Sequence, residues 1–192
     1  MKNKSFKEIA LPAIMLFVIA AICTALLAGT NLLTKDKIAQ LAVEAENSAK
    51  AAVLTATSFS DNKTAVVDGK ENIYYEAYDE NNNVIGYVFS VTVKSYGGDL
   101  SCMVGISTEG KVTGVEITTI NDTPGLGMKA TGEDFLNQFK GKEAGITVNK
   151  NSSSDTEIQA ITSATITSQA VTDAVNSAFE VLSQVKGGAE NG

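Results

Sequence analysis

Hydrophobic positions first run without a break, then fall at helical spacing, and later alternate. From Ile9 to Thr34 no residue is charged and most are Ala, Ile, Leu, Val or Phe. About 20 such residues suffice to cross a bilayer's hydrocarbon core, so the run is read as a retained single-span anchor, with Pro12 expected in its first turn. The rival reading is a cleaved secretory signal, whose apolar core is only about 7–15 residues long and ends at a small-x-small site. This run is longer, no such exit stands near Ala28 or Gly29, and Ile22 before Cys23 disfavours lipidation. Ile38, Leu41, Ala42 and Ala45 then recur at helical spacing and predict a juxtamembrane helix continuing the span. "SFSDNKTAVVDGKEN" reads as a polar linker or peripheral loop.

Beyond residue 72 the period shortens. "IYYEAY" (73–78), "VIGYVFSVTVK" (84–94), "LSCMVGIS" (100–107) and "KVTGVEITTI" (111–120) are rich in β-branched and aromatic residues, and turn-forming stretches separate them. Successive strands without intervening helices predict an antiparallel sheet. In "TGEDFLNQFKGK", Thr131 and Asp134 approximate a capping box, with Phe135, Leu136 and Phe139 as one apolar stripe. "AGITVN" and "IQAI" are short strand candidates. A closing helix is expected from about Ser168 to Val185, burying Val171, Val175, Ala178, Leu182 and Val185, before "KGGAENG" frays.

The expected fold class is therefore α+β: a single N-terminal transmembrane helix, then an exported domain with a mainly antiparallel sheet and flanking helices. The segments are an N-terminus (1–8), the span (9–34), a juxtamembrane helix and connecting loop (35–72), the domain (73–186) and a flexible tail (187–192).

Charge gives this arrangement a direction. Lys2, Lys4 and Lys7 outweigh Glu8 before the span, whereas the whole chain carries a net −7. The positive-inside rule places the N-terminus in the cytoplasm and the acidic domain on the outer face. The same acidity argues against a nucleic-acid partner. There is no His, no Trp and no Arg. A Ser-His-Asp or Cys-His hydrolase is thereby excluded, as are His-ligated metal and haem sites. Two Cys are too few for an iron–sulfur cluster, and Cys23 in the apolar run is not placed to pair with Cys102 in a strand. No metal site is expected, and demanding chemistry would need a cofactor.

Two stretches could carry such chemistry. In "AITSATITSQAV" (160–171), Thr162, Ser163, Thr165, Thr167 and Ser168 crowd ahead of the closing helix. A helix N-terminus binds phosphate through free N–H groups and the macrodipole, but the pattern alone favours a plain Ser/Thr cap with solvated neighbours. In "INDTPGLGMK" (120–129), Pro124-Gly125 suits a type II turn, Gly127 adds a second permissive position, and Lys129 stands at the exit. This loop could let backbone approach a flat ligand with Leu126 on its face, or be an ordinary tight connection.

In this order, the features resemble a known family. "SYGGDLSCMVGISTEGKVTGVEITTINDTPGLGMK" is similar to the FMN-binding domain of the Rnf and Nqr electron-transport complexes, including the (E/D)TPGLG loop. "TSATITS" resembles that family's flavinylation motif, Ser/Thr-Gly-Ala-Thr followed by x-Thr-Ser. The resemblance implies FMN esterified through its phosphate to Thr165, installed by a flavin transferase that uses FAD. Thr162, Ser163 and Ala164 fill the rest of the motif, and Thr167 and Ser168 match the residues after it. Thr162, Ser163 and Thr167 could satisfy the remaining phosphate acceptors, and the ring would lie against Thr123, Gly125, Leu126 and Gly127. Ser163 stands where Gly is usual, Gln159 where Asp is often found, and Asn121 where His is frequent.

The implied function is an electron-relay G-type subunit of an Rnf-type complex that couples ferredoxin:NAD⁺ electron transfer to ion translocation. Its partners would be the other subunits and the flavin transferase, with no small-molecule substrate and no complete active site of its own. Alternatives are the C-type subunit of the Na⁺-translocating NADH:quinone oxidoreductase, a stand-alone extracellular flavoprotein, or a cofactor-free tethered binding domain. The compact length of 192 residues favours the first over the second.

Overall fold

The computed structural model describes residues 2–67 and 69–189. Helix α1 (Lys2–Val53) is unbroken, and the chain divides at Glu46/Asn47 into two compact units. In the first unit Leu11, Phe17, Leu27 and Leu33 are exposed. Among the described residues α1 is the one helix long and apolar enough to cross a membrane. Thr24, Thr30 and Thr34 donate their hydroxyls to the carbonyls four residues back, at 2.8–2.9 Å, which satisfies them without water. Pro12 was expected in a first turn but lies inside the helix, because α1 starts at Lys2. The missing N–H is tolerated there as it commonly is in membrane helices.

From Asn47 onward an antiparallel six-stranded sheet organises the second unit. Strands β3 (Lys70–Tyr78), β4 (Val84–Ser95), β5 (Gly98–Ser107) and β6 (Val112–Thr119) lie side by side in chain order. Two shorter strands, β1 (Ser58–Phe59) and β2 (Lys63–Val67), pair in turn with the free edge of β3. The segment read as a polar linker is therefore an edge of the sheet. Its polarity reflects that position, where one face of β2 stays in water. Lys63 and Glu76 close a 2.7 Å ion pair on it, and the Tyr78 hydroxyl donates to Glu76 at 2.6 Å.

Each face of the sheet is covered by a different helix. Leu100, Cys102, Val104 and Ile106 of β5 alternate onto the larger core, shared with Val171, Val175, Ala178 and Leu182 of α3 (Thr165–Ala189). On the opposite face the end of α1 packs Ala49, Val53 and Leu54 against Tyr75, Ala77, Val88 and Met103. The approach is close because the paired residues Gly105 and Gly114 carry no side chain. A Cβ at Gly105 would meet the Val53 carbonyl oxygen at 2.5 Å, and one at Gly114 would meet Val53 Cα at 2.9 Å. The Thr113 hydroxyl donates to the same carbonyl at 2.6 Å.

After β6 the chain forms a 3₁₀ turn (Gly127–Thr131), the single-turn helix α2 (Glu133–Leu136) and a second 3₁₀ turn (Asn137–Phe139). Phe135, Leu136 and Phe139 are buried as their spacing predicts. The capping box is not formed: Thr131 belongs to the preceding turn, its hydroxyl donates to the Met128 carbonyl, and Gly132 holds the cap position without a side-chain bond. Strands β7 (Thr147–Asn149) and β8 (Glu157–Gln159) pair in parallel, apart from the main sheet. Helix α3 starts at Thr165, ahead of the expected Ser168, and continues through Gly187 to Ala189. Of the predicted tail, residues 190–192 lie outside the described residues.

Candidate functional site

Two segments far apart in sequence meet at the start of α3. The "DTPGL" turn forms as its residues dictate: the Leu126 N–H donates to the Thr123 carbonyl at 3.1 Å, with Pro124 and Gly125 between them and Gly125 at φ +76°. The segment before α3 bends through Ser163, at φ +66°, and the Ala164 N–H returns to the Ile161 carbonyl at 2.9 Å. Together they line a cavity of about 440 Å³, bordered by Tyr96, Asp122, Thr123, Leu126, Gly127 and residues 163–167.

Asp122 joins the pieces. Its carboxylate accepts the Ser95 hydroxyl at 2.6 Å, the Gly97 N–H at 2.5 Å and the Thr167 hydroxyl at 2.6 Å. One side chain thus ties the β4–β5 turn, the loop after β6 and the first turn of α3. Burial raises its pKa, but the hydrogen bonds from Ser95, Thr167 and Gly97 outweigh that and hold the carboxyl below the usual carboxylate range. Gly127 makes room for this junction. A Cβ there would stand 2.6 Å from Asp122 Cβ and 2.7 Å from the Thr167 hydroxyl oxygen.

The hydroxyl-rich stretch divides into two kinds of residue. Thr162, Ser163 and Thr165 are exposed, whereas Thr167 and Ser168 are 1% and 0% exposed. Thr167 is committed to Asp122. Ser168 donates to the Ala164 carbonyl at 3.0 Å and accepts the Ile161 N–H at 2.9 Å. Both hydroxyls thus take part in building the turn, and of the two residues Thr167 also borders the cavity. The first amide to return into α3 is that of Ser168, to the Ala164 carbonyl at 3.0 Å. Among the described residues, the amides of Thr165, Ile166 and Thr167 have no protein acceptor, and all three residues border the cavity.

Of the other expected residues, Ala164, Thr123, Leu126 and Gly127 border the same cavity. Gly125 is exposed at the tip of the turn and does not line it. Lys129 and Thr162 instead border a neighbouring cavity of about 620 Å³ with Met128, Gln138 and Gln159. Gln159 is held there by Gln138, whose side-chain oxygen accepts its N–H at 2.7 Å. Sequence reasoning missed Tyr96, Asp122 and Ile166. The signal for Asp122 lies in the (E/D)TPGLG loop itself, as its acidic first position. Cys102 packs fully buried with its thiol pushed up to about 12, an inert small hydrophobe as expected. Among the described residues no cluster of ligands could hold a metal ion.

Comparison with known proteins agrees with this geometry. Residues 95–180 match the FMN-binding domain, and residues 1–54 match the RnfG N-terminal region. The chain is 38% identical over 184 residues to the G-type subunit of the Na(+)-translocating ferredoxin:NAD(+) oxidoreductase complex of Acetobacterium woodii, covering 88% of each. It is 33% identical over 187 residues to the G-type subunit of the ion-translocating oxidoreductase complex of Methanosarcina acetivorans, covering 94% of this chain and 98% of that one. With the G-type subunit of the proton-translocating ferredoxin:NAD(+) oxidoreductase complex of Clostridium ljungdahlii, identity is 42% over 123 residues, spanning 64% of this chain and 65% of the relative. The crystal structure of Shewanella oneidensis NqrC shares the fold, with a TM-score of 0.56 at 16% identity over 75% of this chain and 74% of that one. An FMN-binding domain behind an apolar helix, matched along nearly its whole length by such relatives, means that the chain belongs to the RnfG family, the G-type subunits of Rnf-type ion-translocating oxidoreductase complexes.

Proposed function

We propose that the chain is the electron-relay subunit of an Rnf-type complex, coupling ferredoxin:NAD⁺ electron transfer to ion translocation, and that it carries FMN esterified to Thr165. The observation that carries this reading is the position of Thr165: first residue of α3, exposed, on the cavity wall, beside three amides without protein acceptors. These amides and the positive end of the α3 dipole suit a phosphate, and the cavity's size suits a cofactor.

In this assignment the Thr165 hydroxyl oxygen forms the ester bond to the flavin phosphate of FAD, with AMP leaving. A flavin transferase is the partner for that step. The amides of Thr165, Ile166 and Thr167 and the exposed Ser163 hydroxyl hold the phosphate oxygens. Leu126, with Thr123 and Gly127 beside it on the cavity wall, would support the ring. When bound, FMN supplies reversible electron storage, and the protein's part is to place it and set its potential. Neighbouring subunits give and take the electron, so no acid, base or small-molecule substrate site is assigned to this chain.

Residues 9–34 anchor the chain, and the Lys-rich flank before them against the acidic remainder supports a cytoplasmic N-terminus and a domain on the outer face. A covalent flavin suits that location, where a dissociated cofactor would be lost.

The test is coexpression with a flavin transferase of proven activity, followed by a denaturing gel under ultraviolet light. The parent band is expected to fluoresce and the Thr165→Ala band to be dark. A dark parent, or a fluorescent Thr165→Ala band, overturns the assignment.

A further inference from the structure

The cavity has one feature that holding a phosphate does not call for: its lining includes a buried acid and no Lys. Asp122 is 3% exposed and borders the same cavity as Thr165. Its partners are two hydroxyls and one backbone amide, all neutral, and among the described residues no cation pairs with it. Lys129, on the same loop, borders the neighbouring cavity instead. A carboxylate hydrogen-bonded by neutral donors keeps its full charge, and a group seated in the cavity would displace the water that otherwise screens that charge.

We infer that Asp122 is a positioning residue that also tunes the flavin: its fixed negative charge in the cavity wall lowers the reduction potential of the group held at Thr165. The inference rests on the Thr165 assignment above. Adding an electron places negative charge near an existing one, so the oxidised form is favoured and the chain becomes a stronger donor to the next acceptor. No further reactant is needed, since the electron enters and leaves through neighbouring subunits as in the relay. The depressed pKa of Asp122 agrees with a carboxyl ionised at neutral pH.

The experiment is an equilibrium redox titration, by flavin absorbance, of the full chain purified in detergent after coexpression with the transferase. Asp122→Asn is nearly isosteric and removes the charge; Ser95→Ala removes a donor but keeps the charge. The potential is expected to rise in Asp122→Asn and to stay near the parent value in Ser95→Ala. Equal potentials in Asp122→Asn and the parent, or the same rise in both variants, would overturn the inference while leaving the Thr165 assignment standing. A parent without in-gel fluorescence would overturn both. If Asp122→Asn does not fold, Tyr96→Lys is compared with Tyr96→Gln, at a position 70% exposed on the cavity rim, in titrations at low ionic strength, where salt screens an exposed charge least. The Lys variant is expected to have the higher potential, and identical values would refute control by charge in this cavity.

Discussion

The Thr167 hydroxyl and the Asp122 carboxylate, 45 positions apart in the chain, meet at 2.6 Å in the wall of the cavity. Both side chains are buried, so little water reaches this bond. Thr167→Val keeps the shape and removes the donor. It is expected to cost about 1–3 kcal/mol, because a buried carboxylate loses one of its three hydrogen bonds. Thermal and urea unfolding of the full chain in detergent, followed by near-ultraviolet circular dichroism, would measure it. Thr167→Ser, which restores the hydroxyl, should recover most of the loss, and an equally destabilised Ser variant would refute the hydrogen bond as the cause.

Two glycines of the same loop are expected to respond differently to alanine. At Gly125, φ is +76° but a Cβ would meet nothing within 4 Å, so Gly125→Ala carries only the conformational cost, about 1–2 kcal/mol. At Gly127 the added Cβ would fall within 2.8 Å of three atoms of Asp122 and Thr167. Gly127→Ala must separate that pair, and is expected to destabilise by about 1–3 kcal/mol and to reduce flavin incorporation as well. Stability and in-gel fluorescence measured side by side distinguish the two. Loss of incorporation in Gly125→Ala alone would contradict this division.

What could be read from the chain follows from how local each signal is. Strands β3 to β6 were visible because Val, Ile and Tyr alternate between Gly- and Asn-rich turns, and the Pro124-Gly125 turn because its residue types leave little choice. The edge strands β1 and β2 were hidden, since a solvated edge leaves "SFSDNKTAVV" with the composition of a loop. The capping box failed at Thr131 for a tertiary reason: the 3₁₀ turn after Gly127 absorbs that residue. The hydroxyl cluster is legible as a group, but its division is not. Whether Thr165 faces the cavity and Thr167 faces Asp122 depends on where α3 begins, which long-range contacts decide.

Ser163 occupies the left-handed region at φ +66°, where a side chain is disfavoured and glycine is at ease. This explains why the family's motif, as resembled in the sequence, has Gly there. Ser163→Gly is expected to stabilise the fold by about 1 kcal/mol, the strain relieved being partly offset by the greater entropy of an unfolded glycine. Incorporation of flavin should persist, because the amides of residues 165–167 are unchanged. An unfolding midpoint lower than the parent's would show that the Ser163 side chain contributes more than its backbone strain costs.

The ionisation of Asp122 makes stability depend on pH with a definite sign. Its carboxyl is held below the ordinary range in the folded state and returns to about 3.9 when the chain unfolds. Above that unfolded value both states are ionised and the stabilisation is fully present. As pH falls, the unfolded chain takes up the proton first, so stability declines from about pH 5 and the contribution is gone once pH passes below the folded value. Glu76 behaves the same way: burial raises its pKa, but hydrogen bonds from Lys63 and Tyr78 hold it low. Only part of the acid sensitivity therefore belongs to the cavity. Asp122→Asn is expected to unfold more easily than the parent at pH 7, with the difference shrinking steadily between about pH 5 and pH 3, as urea midpoints across that range would record. A difference that stays constant with pH would mean that the charge of Asp122 contributes nothing, and that shape alone holds the β4–β5 turn to the start of α3.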